Sequence, residues 1–501
     1  LRAMSQAAQQ NGTFAWSLND PTLLRTQAYI DGQWVDADSG ETFPVYNPAT
    51  HEVVAEVASV GADETRRAIE AAETARHAWA AKSARERSDV LRKWNDLMLE
   101  NLEDLAVIMT VEQGKILAES RGEVAYAASF IEWFAEEGKR VYGDVIPLAQ
   151  TDRRGIVIKQ PVGVCAAITP WNFPSAMLTR KVAPALAVGC AMVCKPPAET
   201  PLSMTALAEL ADRAGLPAGL LNVLPTSSAS VVGDEMCSNP IVRKLTFTGS
   251  TAVGKLLTKQ CADTMKRLSM ELGGNAPVIV FEDADLDLAA AGAAAAKYRN
   301  SGQTCICANR IIVQDTIYDE FVEKLAGVVG TYKVGSGLDE SVTHGPVITR
   351  KALEDIKGLV DDAVEHGATV AAGGSFGEDD SHFIEPTILC DVTDDMRVFK
   401  EEIFGPVAPI FKFSTEEEAI AMANDTEFGL ASYLYSNDQG RCWRVAEAID
   451  YGMVGVNETM ISSELIPFGG VKESGLGREG SRYGIEEYLE LKYICMGNLA
   501  R

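Results

Sequence analysis

Cys305 and Cys307 sit one residue apart in NSGQTCICANR (300–310), beside glycine, glutamine and threonine. Such a pair can be a metal site, a disulfide, or a nucleophile with a companion. A zinc site needs at least two more ligands at sensible spacing. The five histidines, at 51, 77, 344, 366 and 382, offer no second histidine or cysteine at such a spacing, so no metal centre is expected. Residues i and i+2 of a strand project to one face, and the two thiols could still meet if the loop bends. A cysteine in a Gly-Gln-Thr loop just beyond a helix suits a reactive thiol better than a core one.

Other stretches could serve such a thiol. ITPWNFP (168–174) follows an apolar strand and carries Trp171 and Asn172. The Asn172 amide could face a developing oxyanion, or the stretch could be a capped turn into a helix. MELGGNAPVIV (270–280) sets Glu271 before two glycines and a strand, as a surface carboxylate or a catalytic base. KLTFTGSTAVGKLL (244–257) runs strand, Gly249-Ser250-Thr251, helix. Ser250 or Thr251 can cap that helix, whose free N–H groups would suit a pyrophosphate; an ordinary βα turn is the alternative. SGLGREG (474–480) fits G-x-G-x-x-G at Gly475, Gly477 and Gly480, but PFGGVKES supplies no strand before it, so it reads as a decoy.

The elements that must position these residues are legible in outline. At 501 residues, with 47% hydrophobic and 23% charged residues, the chain is globular and too long for one ordinary core. Residues 63 to 135 carry apolar positions at helical spacing. After GDVIPL (143–148) short apolar runs (VGVCAAIT, AMVCKPP, GLLNVLP, KLTFTG, APVIVF) alternate with helix-length segments, which predicts βαβ units in a doubly wound parallel sheet. A second α/β series begins near 286, and the boundary is expected between Glu271 and Asn275. A formal charge of −26 disfavours nucleic acid and anionic membranes as partners. It would also repel an anionic substrate unless basic residues gather at the site. The start LRAMSQAAQQNGTF lacks the order of a secretion signal and no run of about 18 apolar residues occurs, so a cytoplasmic location is expected.

Together WNFP, FTGST, ELGGN, GQTC, EEIFGP and PFGG, in this order, resemble the aldehyde dehydrogenase superfamily. The likeness extends from YIDGQWVDADSG (29–40) to EEYLELKYICMG (486–497). GQTCICANR, SFIEWFAEEGKRVYGDVIP and GREGSRYGIEEYLELKY make it most similar to the succinate-semialdehyde dehydrogenase group. Glutarate- and 2-oxoglutarate-semialdehyde enzymes share much of this. The resemblance implies an NAD(P)-binding domain over 1–140 and 163–273, a catalytic domain over 274–485 and a small β flap for oligomerisation over 141–162 and 486–501. A homodimer or homotetramer is implied with it. It makes Cys305 the nucleophile, Glu271 the general base, Asn172 an oxyanion donor and Lys181 a neighbour of the base. For the cofactor it implies Ile168, Thr169, Pro170 and Trp171 at a strand end, Lys195 at the adenosine ribose, and Gly249, Ser250 and Leu272 along the phosphates and nicotinamide. Glu402 and Phe404 would stand at the nicotinamide ribose. Ala198 occupies the place of a glutamate common in NAD-preferring members, so NADP is expected to be accepted or preferred beside NAD. Arg180, Arg299 and Ser462 match residues that bind the distal carboxylate of a semialdehyde, with Glu458 in VNETM a departure nearby. Cys307 matches a cysteine that in some relatives forms a reversible disulfide with a low-pKa nucleophile. Readings from other classes are a catalytically silent structural member and a thiol-redox regulator.

Overall fold

The computed structural model describes residues 16–378 and 381–499. LRAMSQAAQQNGTF and the last residues of the 486–501 segment lie outside the described residues. Two sheets carry the chemistry. The first has 8 strands, in the order Gly475–Leu476, Arg267–Glu271, Val242–Thr248, Val164–Ile168, Ala191–Lys195, Leu221–Val223, Ala28–Ile30 and Gln33–Val35. Its five middle strands are parallel. Val164–Ile168 and Ala191–Lys195 are buried at every position, because helices cover both faces, and this is why they read as unbroken apolar runs. From Val164–Ile168 the chain winds outward on one side, then returns to Val242–Thr248 on the other. The reversal opens a crevice at the carboxyl ends of these two strands, where ligands of such sheets bind.

The helices expected between 63 and 135 are Ala62–Ala80, Ala84–Glu100, Leu102–Gln113 and Leu117–Glu137. They bury Trp79, Trp94, Phe130 and Phe134 against the first sheet. The hairpin Ala28–Ile30/Gln33–Val35 adds an antiparallel edge that periodicity did not predict. Its signal was Asp31-Gly32, both at positive φ, a two-residue turn of the kind that matches strand twist.

Leu272–Asn275 carries the chain to the second sheet, of 7 strands: Thr369–Ala372, Thr387–Cys390, Val407–Phe413, Ala308–Gln314, Ala276–Val280, Ala431–Tyr435 and Met453–Val456. All but the first edge strand run parallel. A separate sheet of Asp144–Pro147, Arg154–Pro161 and Leu489–Met496 leaves Val145, Leu491 and Tyr493 exposed. One boundary differs from the 274–485 expectation. Gly475–Leu476 returns to pair with Met270 and Glu271 in the first sheet. Gly475 has φ 138°, and a Cβ there would fall 1.8 Å from the Met270 carbonyl oxygen, so only glycine lets the strands close. No helix of the described residues is long and apolar enough to cross a membrane.

Candidate active site

The helix Leu286–Tyr298 delivers the cysteine loop. Asn300, Ser301 and Gly302 then take consecutive left-handed conformations, with φ of 51°, 54° and 76°. At the two non-glycine positions this costs on the order of 1–3 kcal/mol each, so the surroundings must hold it. They do: the Asn300 N–H donates to Glu119 (2.7 Å), its Nδ2 to the Asn172 carbonyl (3.0 Å), and Ser301 Oγ to the Gly345 carbonyl (2.8 Å). A turn closed by the Cys307 N–H on the Thr304 carbonyl (2.9 Å) follows. Cys305 and Cys307 therefore occupy a turn, not one face of a strand. Gly274 lets this loop approach the base strand, since a Cβ there would fall 2.4 Å from the Cys305 carbonyl oxygen.

Asn172 Nδ2 donates to the Gln303 carbonyl at 2.9 Å, which fixes which amide atom is nitrogen and leaves its second N–H for a ligand. Cys305 departs from the low-pKa expectation. Burial pushes its thiol up to about 12, Glu402 adding to the rise and Arg180 offsetting part of it. The resting group is a thiol that needs a base.

Glu271 ends the strand Arg267–Glu271, 2% exposed, with neither carboxyl oxygen hydrogen-bonded to protein. Burial pushes its carboxyl well above the usual range, the Glu479 carboxylate adds to the rise, and Arg180, Lys181 and Arg478 offset part of it. Gly469 makes room, because a Cβ there would lie 2.9 Å from Glu271 Oε1. Against burial, which pushes Glu479 up, the charges of Lys181 and Arg180 hold it below the usual carboxylate value. Two neighbouring buried carboxyls are thus driven apart, one toward the acid and one toward the ion. Lys181 donates to Glu479 and to Thr248 Oγ1 (2.7 Å). Glu479 lies inside SGLGREG, a glycine motif with no strand before it, and nothing in that local pattern signals a carboxylate partner for Lys181.

Two cavities meet at this loop. One, of about 220 Å³, is lined by Pro170, Trp171, Asn172, Gly249, Ser250, Leu272, Cys305, Glu402 and Phe404, with Met177 and Thr248 not foreseen. Ser250 caps the helix Thr251–Cys261 through Val253 N–H (3.5 Å), so the open first-turn N–H groups face the crevice. Glu402 Oε1 accepts the Gly274 N–H at 3.0 Å, and burial pushes its carboxyl up to about 7. Phe404, at φ 52°, meets Trp171 edge-on with centroids 5.6 Å apart. Ile168 and Thr169 end the middle strand and Lys195 its neighbour, joined by the Thr169 N–H to the Lys195 carbonyl (3.3 Å). Ala198 follows three residues later. None of these four lines the 220 Å³ cavity. An anion-binding helix end, a buried lysine at the adjoining strand end and a carboxylate at the far side fit a nicotinamide dinucleotide.

The second cavity, of about 280 Å³, is lined by Arg299 and Ser462 with Lys115, Glu119, Glu123, Tyr126, Phe173 and Met460. Arg299 lies over the Phe173 ring at 5.5 Å, and Ser462 Oγ is 2.8 Å from Tyr126 Oη. Arg180 is not there. It is 2% exposed, its Nε 3.0 Å from Glu479 and its guanidinium 4.0 Å over Phe468. A buried cation needs a carboxylate partner, and Glu479 supplies one as an ion pair, while neither Nε nor Nη2 makes a hydrogen bond. Glu458 also stays apart, its Oε1 accepting the Thr459 and Met460 N–H groups of its own turn. Behind Cys307, itself 7% exposed, Lys297 is fully buried with Nζ unbonded, and burial pushes it down to about 8.

The aldehyde dehydrogenase family model matches residues 34–494. A glutarate-semialdehyde dehydrogenase of Pseudomonas aeruginosa is 60% identical over 482 residues, covering 96% of this chain and 100% of the relative. An NADP-dependent succinate-semialdehyde dehydrogenase of Escherichia coli is 59% identical, covering 96% and 99%. The crystal structure of an NADP-dependent enzyme of E. coli superposes with a TM-score of 0.95 at 58% identity, over 96% of this chain and 100% of that one.

Proposed function

This chain belongs to the aldehyde dehydrogenase family, and we propose that it oxidises succinate semialdehyde to succinate with NADP or NAD. The observation that carries the substrate is the 280 Å³ cavity holding Arg299 and Ser462, which is lined by Phe173 and Asn300 where the cofactor crevice is lined by Asn172 and Cys305 of the same two segments. An acidic protein recognises a carboxylate where its guanidinium is concentrated and shielded, and an Arg fork fits a carboxylate in two hydrogen bonds. Arg180, paired with Glu479, belongs to the scaffold beside Glu271 and not to the carboxylate contact. A second reading, glutarate semialdehyde, is supported by the name of the P. aeruginosa relative.

The chemistry follows from the residues. Glu271, whose raised carboxyl makes its ionised form a good base, takes the Cys305 proton. The sulfur adds to the aldehyde carbon, and Asn172 Nδ2–H with the Cys305 N–H holds the oxyanion, each donor worth roughly 3 kcal/mol at such sites. The nicotinamide cofactor, when bound in the crevice, supplies the acceptor for the hydride leaving that carbon. Glu271 passes that first proton to solvent and then takes one from the water that attacks the thioester; the carbon–sulfur bond breaks, the departing sulfur takes the proton from Glu271, and succinate leaves as the Cys305 thiol re-forms. Lys195, Ser250 with its helix end, Glu402 and Phe404 would hold the cofactor. Ala198 in place of a carboxylate supports NADP use beside Lys195, and the exposed apolar flap supports self-association as a dimer or tetramer. The test is reduced-nicotinamide absorbance with succinate, glutarate and 2-oxoglutarate semialdehydes and with butanal, each with NADP and NAD. Preference for butanal would sink the substrate assignment.

A further inference from the structure

Lys115 lies on no element that the chemistry above uses, yet its side chain is fully buried beside the Asn172 loop. Its Nζ donates to Glu123 Oε2 at 2.5 Å and to the Asn172 carbonyl at 2.7 Å, and lies 3.9 Å over the Phe173 ring. Glu123, equally buried, accepts with its other oxygen from the N–H groups of Ser175 (2.9 Å) and Ala176 (3.2 Å). Those two residues are the N-cap and first residue of the helix Ala176–Val188, which begins where WNFP ends. The pair therefore grips the loop twice, at the Asn172 peptide and at the helix start. Lys115 is also fixed from behind. It follows Gly114, which ends the helix Leu102–Gln113 at φ 94°, and a Cβ on Gly337 would fall 2.4 Å from the Lys115 carbonyl oxygen, so the second domain presses on its backbone.

The Lys115 charge also steadies Glu119, which accepts the Asn300 N–H at 2.7 Å. The ammonium is committed to Glu123, Asn172 and Phe173, so although it borders the substrate cavity it has little left for a substrate carboxylate, unlike Arg299. Asn300 Nδ2 reaches the same Asn172 carbonyl from the cysteine loop at 3.0 Å. Holding that carbonyl from both sides fixes the Asn172 peptide plane and hence where its amide points. Oxyanion stabilisation depends on donors placed before the charge develops, and small misplacements lose much of the effect.

We propose that Lys115, braced by Glu123, is a positioning residue that aims the Asn172 amide at the oxyanion formed on Cys305. This rests on the aldehyde dehydrogenase reading of the site. The test is a double-mutant cycle on turnover of succinate semialdehyde with NADP, using Lys115→Met, Asn172→Ala and their combination. Asn172→Ala removes the donor and should lower kcat by roughly 100- to 1,000-fold. Lys115→Met should lower kcat by roughly 10- to 100-fold in the parent and less than about threefold in the Asn172→Ala background, because the donor it aims is already gone. KM for the aldehyde should change little, and Lys115→Arg should recover part of the loss. Should Lys115→Met leave Glu123 unpaired and the protein unfolded, the neutral pair Lys115→Met/Glu123→Gln carries the same cycle. Equal fold-losses from Lys115→Met with and without Asn172 would overturn the positioning role while leaving the enzyme reading intact. A parent protein with no turnover on any aldehyde would overturn the reading on which it rests.

Discussion

Replacing Arg299 with methionine separates the two arginines that the sequence places together. Met fills much of the same volume and keeps an apolar stem against Phe173, over which the guanidinium lies at 5.5 Å. Among the described residues no carboxylate forms a salt bridge with Arg299, although its charge, after that of Lys115, offsets part of the burial that pushes Glu119 up. The main loss is then that of the substrate contact, and any effect at Glu119 falls on both aldehydes alike. A hydrogen bond between charged groups contributes about 1.5–3 kcal/mol. Losing a two-bond fork should therefore cost about 3 kcal/mol, near 150-fold in kcat/KM for succinate semialdehyde at about 1.4 kcal/mol per tenfold. Butanal has no carboxylate to lose and should change by less than about threefold. Arg180→Met should behave otherwise. It breaks the pair with Glu479, and removing one member of a buried pair costs about 3–5 kcal/mol. That loss falls on the scaffold beside Glu271, so turnover of both aldehydes and the melting temperature should fall together. The assay is kcat/KM for both aldehydes at saturating NADP, with a thermal melt for each variant. An equal loss for the two aldehydes in Arg299→Met would refute the assignment of the 280 Å³ cavity to a carboxylate tail.

Glu479→Gln removes the carboxylate that raises Glu271, so the Glu271 value should fall. Activity needs the ionised base and rises with pH through that value, so the acid limb of the kcat/KM profile should move to lower pH; an unmoved limb would separate the two carboxyls. Ala198→Glu should cut kcat/KM with NADP by about tenfold or more while sparing NAD, since a carboxylate repels a 2′-phosphate and can bond a ribose hydroxyl. Equal effects on the two cofactors would place Ala198 away from the ribose. In ligand-free protein, peroxide should oxidise Cys305 slowly at neutral pH and faster as pH rises, because the thiol is pushed up to about 12. A pH-independent rate would contradict that. Reversal by dithiothreitol that is lost in Cys307→Ser would make Cys307 the resolving thiol, and unchanged reversal would remove it.

Much of this was legible because the chemistry is local in sequence. The crevice comes from strand-turn-helix units whose apolar runs and small turn residues announce themselves, and Asn172, Gly249, Ser250 and Cys305 each sit at the end of such a unit. What stayed hidden depends on contacts between distant segments. Glu479 is 298 residues from Lys181 and reaches it only because Gly475 lets a short strand close on Glu271. Lys115 is 57 residues from the carbonyl it holds. The thiol of Cys305 shows a related effect. The side chain is partly exposed, as a Gly-Gln-Thr loop suggests, but desolvation and then Glu402, from a segment about a hundred residues away, push its ionisation up.

The glycine motif that carries no phosphate explains how the site tolerates its charges. A base at the end of a buried strand is useful only if it stays close to neutral at rest and can ionise during the reaction, and a lone buried carboxyl would be held neutral by desolvation. Here Glu479 absorbs the charges of Lys181 and Arg180, and so keeps two cations next to Glu271 without letting either form a salt bridge with it. If they paired with Glu271 directly, it would be a permanent carboxylate and a weak base; without them, its ionisation would be too costly. Glycines at 469 and 475 make that arrangement possible, one by leaving space at Glu271 Oε1 and the other by letting the Glu479 segment lie against the base strand. The segment's hold on Glu271 therefore runs through backbone pairing and charge together, which is why substitution of Gly475 should damage turnover as surely as substitution of the base itself.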